Sequence, residues 1–306
     1  MLAIAVIIVL LIAAVYFIIG RFTKIAFLRD DRERTAAQRL NIPWSLYVDD
    51  VEEGERQFFG FPSRRAEIVS RDGLKLRATY VPCSNARATV IMMHGYRSDG
   101  FADFSTVFGF YRSMGFNILL PHQRSHLTSE GKYITFGIKE RYDCVDWANY
   151  ISREVGGDIW LLGVSMGAAT GMMASCLDLP ESVRGIIADC GFTSPWDQLA
   201  YVLKRDYGLP PFPVLNMVNR RFRRMTGVDL RSVSCADALK KCRIPVLFIH
   251  GGSDGFVPCE MSHENYESCA SDKEIYVSDG ADHAGTSWVA PRGYRDAVRK
   301  FIAKYA

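Results

Sequence analysis

Two kinds of hydrophobic patterning divide this chain. Over residues 1–20 apolar side chains follow one another with neither a charge nor a proline (MLAIAVIIVLLIAAVYFIIG). Beyond Arg65, short apolar runs alternate with amphipathic stretches. A charge-free run of that length matches a hydrocarbon core of about 30 Å. A cleaved leader would show a basic n-region, and none precedes the run; no cysteine suited to lipid attachment follows it. A buried core helix would carry a polar stripe, which is also missing. Residues 1–20 therefore predict an uncleaved single-pass anchor that contacts membrane lipid.

The later pattern predicts strands at Ala66 to Ser70 and Leu74 to Val81, joined by a hairpin signal at Arg71-Asp72-Gly73. Further strands are predicted at Ala88 to Met93, Phe116 to Leu120, Asp158 to Leu162, Val183 to Ala188, Ile244 to His250 and Glu274 to Val277. Helical periodicity falls at Ala102 to Ser113, Lys139 to Glu154, Ala168 to Leu177, Glu260 to Ala270 and Gly293 to Tyr305. Apolar strands alternating with helices specify the α/β class, with a mostly parallel sheet covered on both faces. Residues 21–64 read as an amphipathic lead-in. Within it Pro43 takes a first helical position, and Trp44, Tyr47, Val48 and Val51 follow at helical spacing, on a helix expected to pack on the body or else to lie against the membrane surface. The body spans 65–306. Between Ser194 and Ala238 the alternation lapses, which predicts a small helical lid at about 195–238, with a helix from Val214 to Met225. Arg220, Arg221, Arg223 and Arg224 lie there, either on a solvated face or against anionic headgroups.

Composition narrows the reading. With 306 residues, 48% of them hydrophobic, the chain can bury one sizeable core. A formal charge of +3 gives no case for nucleic acid. Eight cysteines are scattered without C-x-x-C spacing, which favours reduced thiols and no metal site. Arg21, Lys24, Arg29, Arg32 and Arg34 crowd just after the apolar run, diluted by Asp30, Asp31 and Glu33. By the positive-inside rule the chain is expected in the cell membrane with its body on the cytoplasmic side.

Candidate chemistry centres on Gly163-Val164-Ser165-Met166-Gly167, between an apolar strand and a buried helix. The G-x-S-x-G pattern is short, and by itself it also fits an ordinary glycine-rich strand–helix turn. The strand–turn–helix context and the rest of the chain point to a nucleophile elbow. Asp254 follows the strand ending at His250, and His283 follows the last strand. The order Ser165, Asp254, His283 is the one that serine hydrolases with a parallel sheet use. Oxyanion donors are then expected from the backbone N–H groups of Met166, at a helix start, and Tyr96, in the turn after His94-Gly95. Asp189, also just past a strand end, is the rival acid. Asp282 adjoins His283, and neighbours on extended backbone point apart. His94 and His250 read as buried strand ends; His122 and His126 read as loop-ordering or substrate-facing.

The motifs MMHGY at 92–96, SEGKYITFG at 129–137, GVSMGAAT at 163–170, ADCGFTS at 188–194, IPVLFIHGGSDGFVP at 244–258 and GADHA at 280–284 resemble the α/β-hydrolase superfamily. The likeness is nearest to the membrane-anchored, serine-aminopeptidase-like hydrolases of bacteria and covers about residues 65 to 305. It implies an eight-stranded sheet, a Ser165/Asp254/His283 triad and no cofactor. One loop departs from the family pattern D-x-R-x-H-G-x-S: Arg124, His126 and Ser129 match, but His122 and Leu127 do not. The expected activity is cleavage of small or lipophilic acyl esters through an acyl-serine. The alternatives are a peptidase of the aminopeptidase-like type and a non-catalytic membrane-anchored scaffold.

Overall fold

The computed structural model describes residues 16–30 and 47–306. Eight strands are hydrogen-bonded into one sheet: β1 (Arg64–Val69), β2 (Lys75–Val81), β3 (Ala88–Met93), β4 (Phe116–His122), β5 (Asp158–Val164), β6 (Val183–Asp189), β7 (Val246–Gly251) and β8 (Lys273–Ser278). Their order is β1-β2-β4-β3-β5-β6-β7-β8. The β1–β2 and β2–β4 pairs are antiparallel and every later pair is parallel. Every residue of β3 and of β7 is buried, as a parallel strand covered on both faces requires. β1, at the sheet edge, keeps four of its six residues exposed.

The helices, in chain order, are α1 (16–27), α2 (Val48–Gly60), α3 (Phe101–Phe104), α4 (Phe108–Ser113), α5 (Glu140–Glu154), α6 (Met166–Ala174), α7 (Pro195–Tyr207), α8 (Pro211–Thr226), α9 (Cys235–Leu239), α10 (Cys259–Ser268), α11 (Thr286–Val289) and α12 (Pro291–Tyr305). They enclose two apolar layers. One face of the sheet buries Phe58, Phe104, Phe108, Tyr111, Tyr294 and Phe301, from α2, α3, α4 and α12. The other buries Trp147, Met172, Leu215, Phe222, Leu239 and Phe27, from α5, α6, α8, α9 and α1.

The predicted helix at 102–113 is two short ones. α2 crosses the break so closely that a Cβ on Gly54 would lie 2.5 Å from Ser105 Cβ. The β-branched pair Thr106-Val107 at the junction also disfavours continuous helix. The lid region holds α7 and α8. α7 is N-capped by Ser194, whose Oγ accepts from the Asp197 N–H at 3.0 Å. α9, included in the predicted lid insert, instead packs beside α6 under the sheet.

At the N-terminus the described residues begin inside the expected anchor. α1 runs unbroken through the expected anchor–linker boundary at residue 20, and the expected linker contributes to the core. Phe27 is fully buried, its ring 4.5 Å from Phe222 and 5.6 Å from Phe136. Leu28 then bridges to Tyr133, so the lead-in is sewn to the loop after β4. The first fifteen residues of the predicted anchor, together with Pro43 and Trp44, lie outside the described residues. Among the described residues no helix is long and apolar enough to cross a membrane. α2 packs on α3 and α4, its Phe58 ring 4.4 Å from Phe108, as expected of a lead-in helix docked on the body.

Backbone approaches backbone closely at the turn after β5. A Cβ on Gly163 would lie 2.3 Å from the Gly167 carbonyl carbon, and one on Gly167 would lie 1.8 Å from Met93 O. Both contacts are with backbone, so no side chain can swing aside. Gly167→Ala is expected to destabilise the protein by about 3 kcal/mol or more in thermal denaturation. Gly60→Ala, where nothing lies within 4 Å, is expected to stay within about 0.5 kcal/mol of the parent.

Candidate active site

β5 delivers Ser165 into a conformation that L-residues avoid, with φ 54° and ψ −115°. Two backbone bonds hold it there: Ser165 N–H donates to Asp189 O at 2.8 Å, and Ser165 O accepts from Ala169 N–H at 3.0 Å. The residue is 7% exposed, and its hydroxyl points at an imidazole. Ser165 Oγ lies 3.0 Å from His283 Nε2. On the far side of that ring His283 Nδ1–H donates to Asp254 Oδ2 at 2.7 Å.

The acid and the imidazole are fixed by their own loops. Asp254 Oδ1 accepts from the N–H groups of Phe256 and Val257, both at 2.8 Å. Asp282 does not face the imidazole; its Oδ1 accepts from His283 N–H at 2.7 Å and Gly255 N–H at 3.2 Å, which ties the two loops together. A Cβ on Gly251 would lie 2.3 Å from Ala281 O, so the loops meet backbone to backbone. The Phe256 ring, 4.9 Å from that of His283, covers the imidazole.

His250, read from sequence as a buried strand end, does more than fill space. Its Nε2 lies 3.1 Å from Asp254 Oδ2, and its Nδ1 lies 2.5 Å from Ser262 Oγ. Burial raises the Asp254 carboxyl, but the nearby His283 and the bonds from both imidazoles outweigh it, leaving the group well below the usual carboxylate range. Asp254 is thus ionised at neutral pH.

The turn after β3 lies against the serine: a Cβ on Gly95 would come within 3.6 Å of Ser165 Cβ. Gly95 N–H donates to Asp103 Oδ2 at 2.6 Å, and Arg97 N–H donates to His126 Nε2 at 3.1 Å. Tyr96 packs its ring on Phe136 and donates its hydroxyl to Ala26 O at 2.8 Å, linking the turn to α1. Met166 N–H is the first of α6, one of the donors that a helix leaves without an internal acceptor. No local pattern marks Asp103, because its role depends on a turn eight residues upstream.

The loop after β4 carries the two departures from the D-x-R-x-H-G-x-S pattern, at His122 and Leu127. Leu127 takes φ 45°, the left-handed conformation for which the pattern carries glycine. Arg29 donates to the carbonyls of Leu127 and Ser129 from the N-terminal side. Arg124 is buried and forks onto Asp143, with Nε to Oδ2 and Nη2 to Oδ1 both at 2.6 Å. His122, the other departure, meets Thr128 Oγ1 at 2.8 Å.

Among the described residues, Cys190, Asp254 and His283 bring metal-type donor atoms within 4.8 Å of one another. Two of the three already share a proton in the 2.7 Å bond, and burial holds the Cys190 thiol well above its usual value, so the set is poorly matched to a cation.

Asp189 is fully buried at the end of β6, and its Oδ1 has no hydrogen-bond partner. Burial, with Asp254 and Asp103 nearby, pushes its carboxyl up to about 7 against the opposing effect of His250. Burial likewise pushes Asp103 up to about 6, although the Gly95 N–H favours its ionised form. Both values lie above the unfolded value of 3.8. Folding therefore favours the protonated forms, and the stability they contribute is lost as pH rises from about 4 to about 7. Asp189→Asn is expected to abolish much of that loss. Its melting temperature should exceed that of the parent by about 2–5 °C at pH 8 and by less at pH 5.

No family model matches the chain. It is similar to an uncharacterized protein of Bacillus subtilis, YqkD, at 28% identity over 237 residues, covering 77% of each chain. It is also similar to an uncharacterized membrane protein of Saccharomyces cerevisiae, at 24% identity, covering 79% of this chain and 80% of the other. Among solved structures, an esterase of Pyrococcus furiosus superposes with a TM-score of 0.67 at 25% identity, covering 81% of this chain and 93% of the esterase. With its eight-stranded, mostly parallel sheet and a serine elbow at the end of the fifth strand, the chain belongs to the α/β-hydrolase superfamily as a serine hydrolase.

Proposed function

We propose that the chain cleaves carboxylic esters by a two-step acyl-enzyme mechanism. The observation that carries this reading is the continuous chain of contacts from Ser165 Oγ to His283 Nε2 at 3.0 Å and from Nδ1 to Asp254 Oδ2 at 2.7 Å, ending on a serine held at φ 54°. A scaffold gains nothing from that backbone strain, which costs about 1–3 kcal/mol. Ser165 Oγ attacks the acyl carbon while His283 Nε2 accepts its proton. The tetrahedral oxyanion is met by the N–H groups of Met166 and Tyr96, each worth about 3 kcal/mol of barrier. Collapse breaks the bond to the alkoxy oxygen, which leaves with the proton held by His283. Water then repeats the sequence on the acyl-serine, with His283 as base and then acid, and regenerates Ser165. Asp254 keeps the imidazole in the required tautomer and stabilises its cation.

The substrates proposed are small or lipophilic acyl esters. Support for the ester class comes from the P. furiosus esterase. Support for a membrane location comes from the charge-free run at 1–20 and from the yeast relative described as a membrane protein. In this reading residues 1–20 hold the enzyme on the bilayer, and the basic residues after them keep the body on the cytoplasmic side.

A p-nitrophenyl ester series from acetate to palmitate tests the activity. The parent is expected to turn over esters and Ser165→Ala to lose at least about 10³-fold in kcat. An inactive parent that cleaves peptide arylamides would replace the esterase reading with the peptidase one. The choice of acid is tested in the same assay. Asp254→Asn is expected to lower kcat by about 10⁴-fold, while Asp189→Asn is expected to change it by less than about 10-fold. The reverse pattern would make Asp189 the acid.

A further inference from the structure

α8 carries four arginines, and they are not equivalent. Arg223 lies 3.5 Å from the Asp229 carboxylate. Arg220, Arg221 and Arg224 have no carboxylate partner among the described residues, and they converge on α1. The Arg221 guanidinium lies across Gly20, 3.1 Å from where a Cβ would stand. Arg224 Nη1 reaches the Tyr16 hydroxyl at 3.5 Å. These three arginines with Tyr16, Ile19 and Met217 line a cleft of about 80 Å³. Arg221 Nε is buried there with no hydrogen-bond partner.

Three guanidinium groups around one small cleft repel one another, and a desolvated N–H left unpaired adds a further cost. A single tetrahedral anion removes both penalties, since guanidinium forks match phosphate oxygens. Exposed apolar side chains on the same elements narrow the source of that anion. Phe17 and Ile18, next to Tyr16 on α1, are 68% and 63% exposed. The tip between the lid helices adds exposed Tyr207, Leu209 and Phe212, with Tyr207 packed on Phe22 of α1. Residues 1–15, which lead into this helix, carry no charge. A phosphate arriving with acyl chains attached satisfies the cleft and these exposed apolar side chains together. We propose that the cleft between α1 and α8 binds the phosphate of an anionic phospholipid headgroup, so that the lid is docked on the bilayer surface by its own helix.

The test uses the full chain in a nonionic detergent, with melting temperature as the readout. Dioctanoyl phosphatidylglycerol, dioctanoyl phosphatidylcholine and inorganic phosphate are titrated separately. The expected result is a saturable rise with phosphatidylglycerol that phosphatidylcholine does not produce and that inorganic phosphate produces only at far higher concentration. Arg221→Gln/Arg224→Gln is expected to weaken the phosphatidylglycerol response by about 10-fold or more. Arg221→Lys/Arg224→Lys, which keeps charge but not the fork, should fall between; it carries the test if the glutamine variant melts early without lipid. Equal responses to the two lipids, or variants that respond as the parent does, would overturn the proposal. A response to inorganic phosphate matching that to phosphatidylglycerol would overturn the lipid assignment in favour of a free-phosphate site. Ester hydrolysis is not read in this experiment, so its failure is separate from failure of the esterase reading.

Discussion

The fold turns on a backbone-to-backbone contact. β5 can end in a strained serine only because Gly163 and Gly167 let the start of α6 press against the carbonyl of Met93 at the end of β3. That contact fixes the distance between the two central strands' ends, and so brings the turn at Gly95 against Ser165. It also sets where α6 begins, at Met166 directly after the serine. The serine's unfavourable φ is maintained by bonds at both its N–H and its carbonyl, and the sheet supplies the stability that offsets it.

Around this point the protein arranges charge rather than excluding it. Asp254 is buried yet ionised because two backbone N–H groups and two imidazoles answer its oxygens. Asp189 and Asp103, a short distance away, have fewer such partners, and burial raises their proton affinity. Three buried carboxyls near one site thus differ in proton affinity from their surroundings alone, and the one held ionised is the one that orients a histidine. The N-terminal helix enters the same network indirectly. Tyr96 bonds to the carbonyl of Ala26, and Phe27 packs on both the lid helix and the loop after β4. The lead-in therefore braces the turn that faces the serine.

Much of this was legible in sequence for a physical reason. Parallel strands covered on both faces are continuous apolar runs, and the elbow's glycines and serine stand in one pentapeptide, so local pattern and tertiary demand coincide. Asp254 and His283 follow strand ends directly, which is why spacing alone located them. What sequence did not reveal depends on contacts between distant segments. The bond of His250 to Asp254 spans only four residues, but it depends on the loop doubling back. Asp103 matters only because α3 lies under the turn at Gly95. Nothing in the periodicity near Phe27 indicated that a predicted linker would supply core, since its partners Phe136 and Phe222 lie more than a hundred residues away. The break between α3 and α4 likewise follows from the crossing of α2 at Gly54, a tertiary fact.

The central claim is that Ser165 is a nucleophile activated by its position in the fold. It is tested most directly by treating the folded full chain with a fluorophosphonate and mapping the adduct by peptide mass spectrometry. The account predicts one stoichiometric adduct, on the peptide containing Ser165, lost when the protein is unfolded before treatment or when His283 is replaced by alanine. A folded protein that takes up no label, or that labels at another serine while Ser165 stays unmodified, would contradict it.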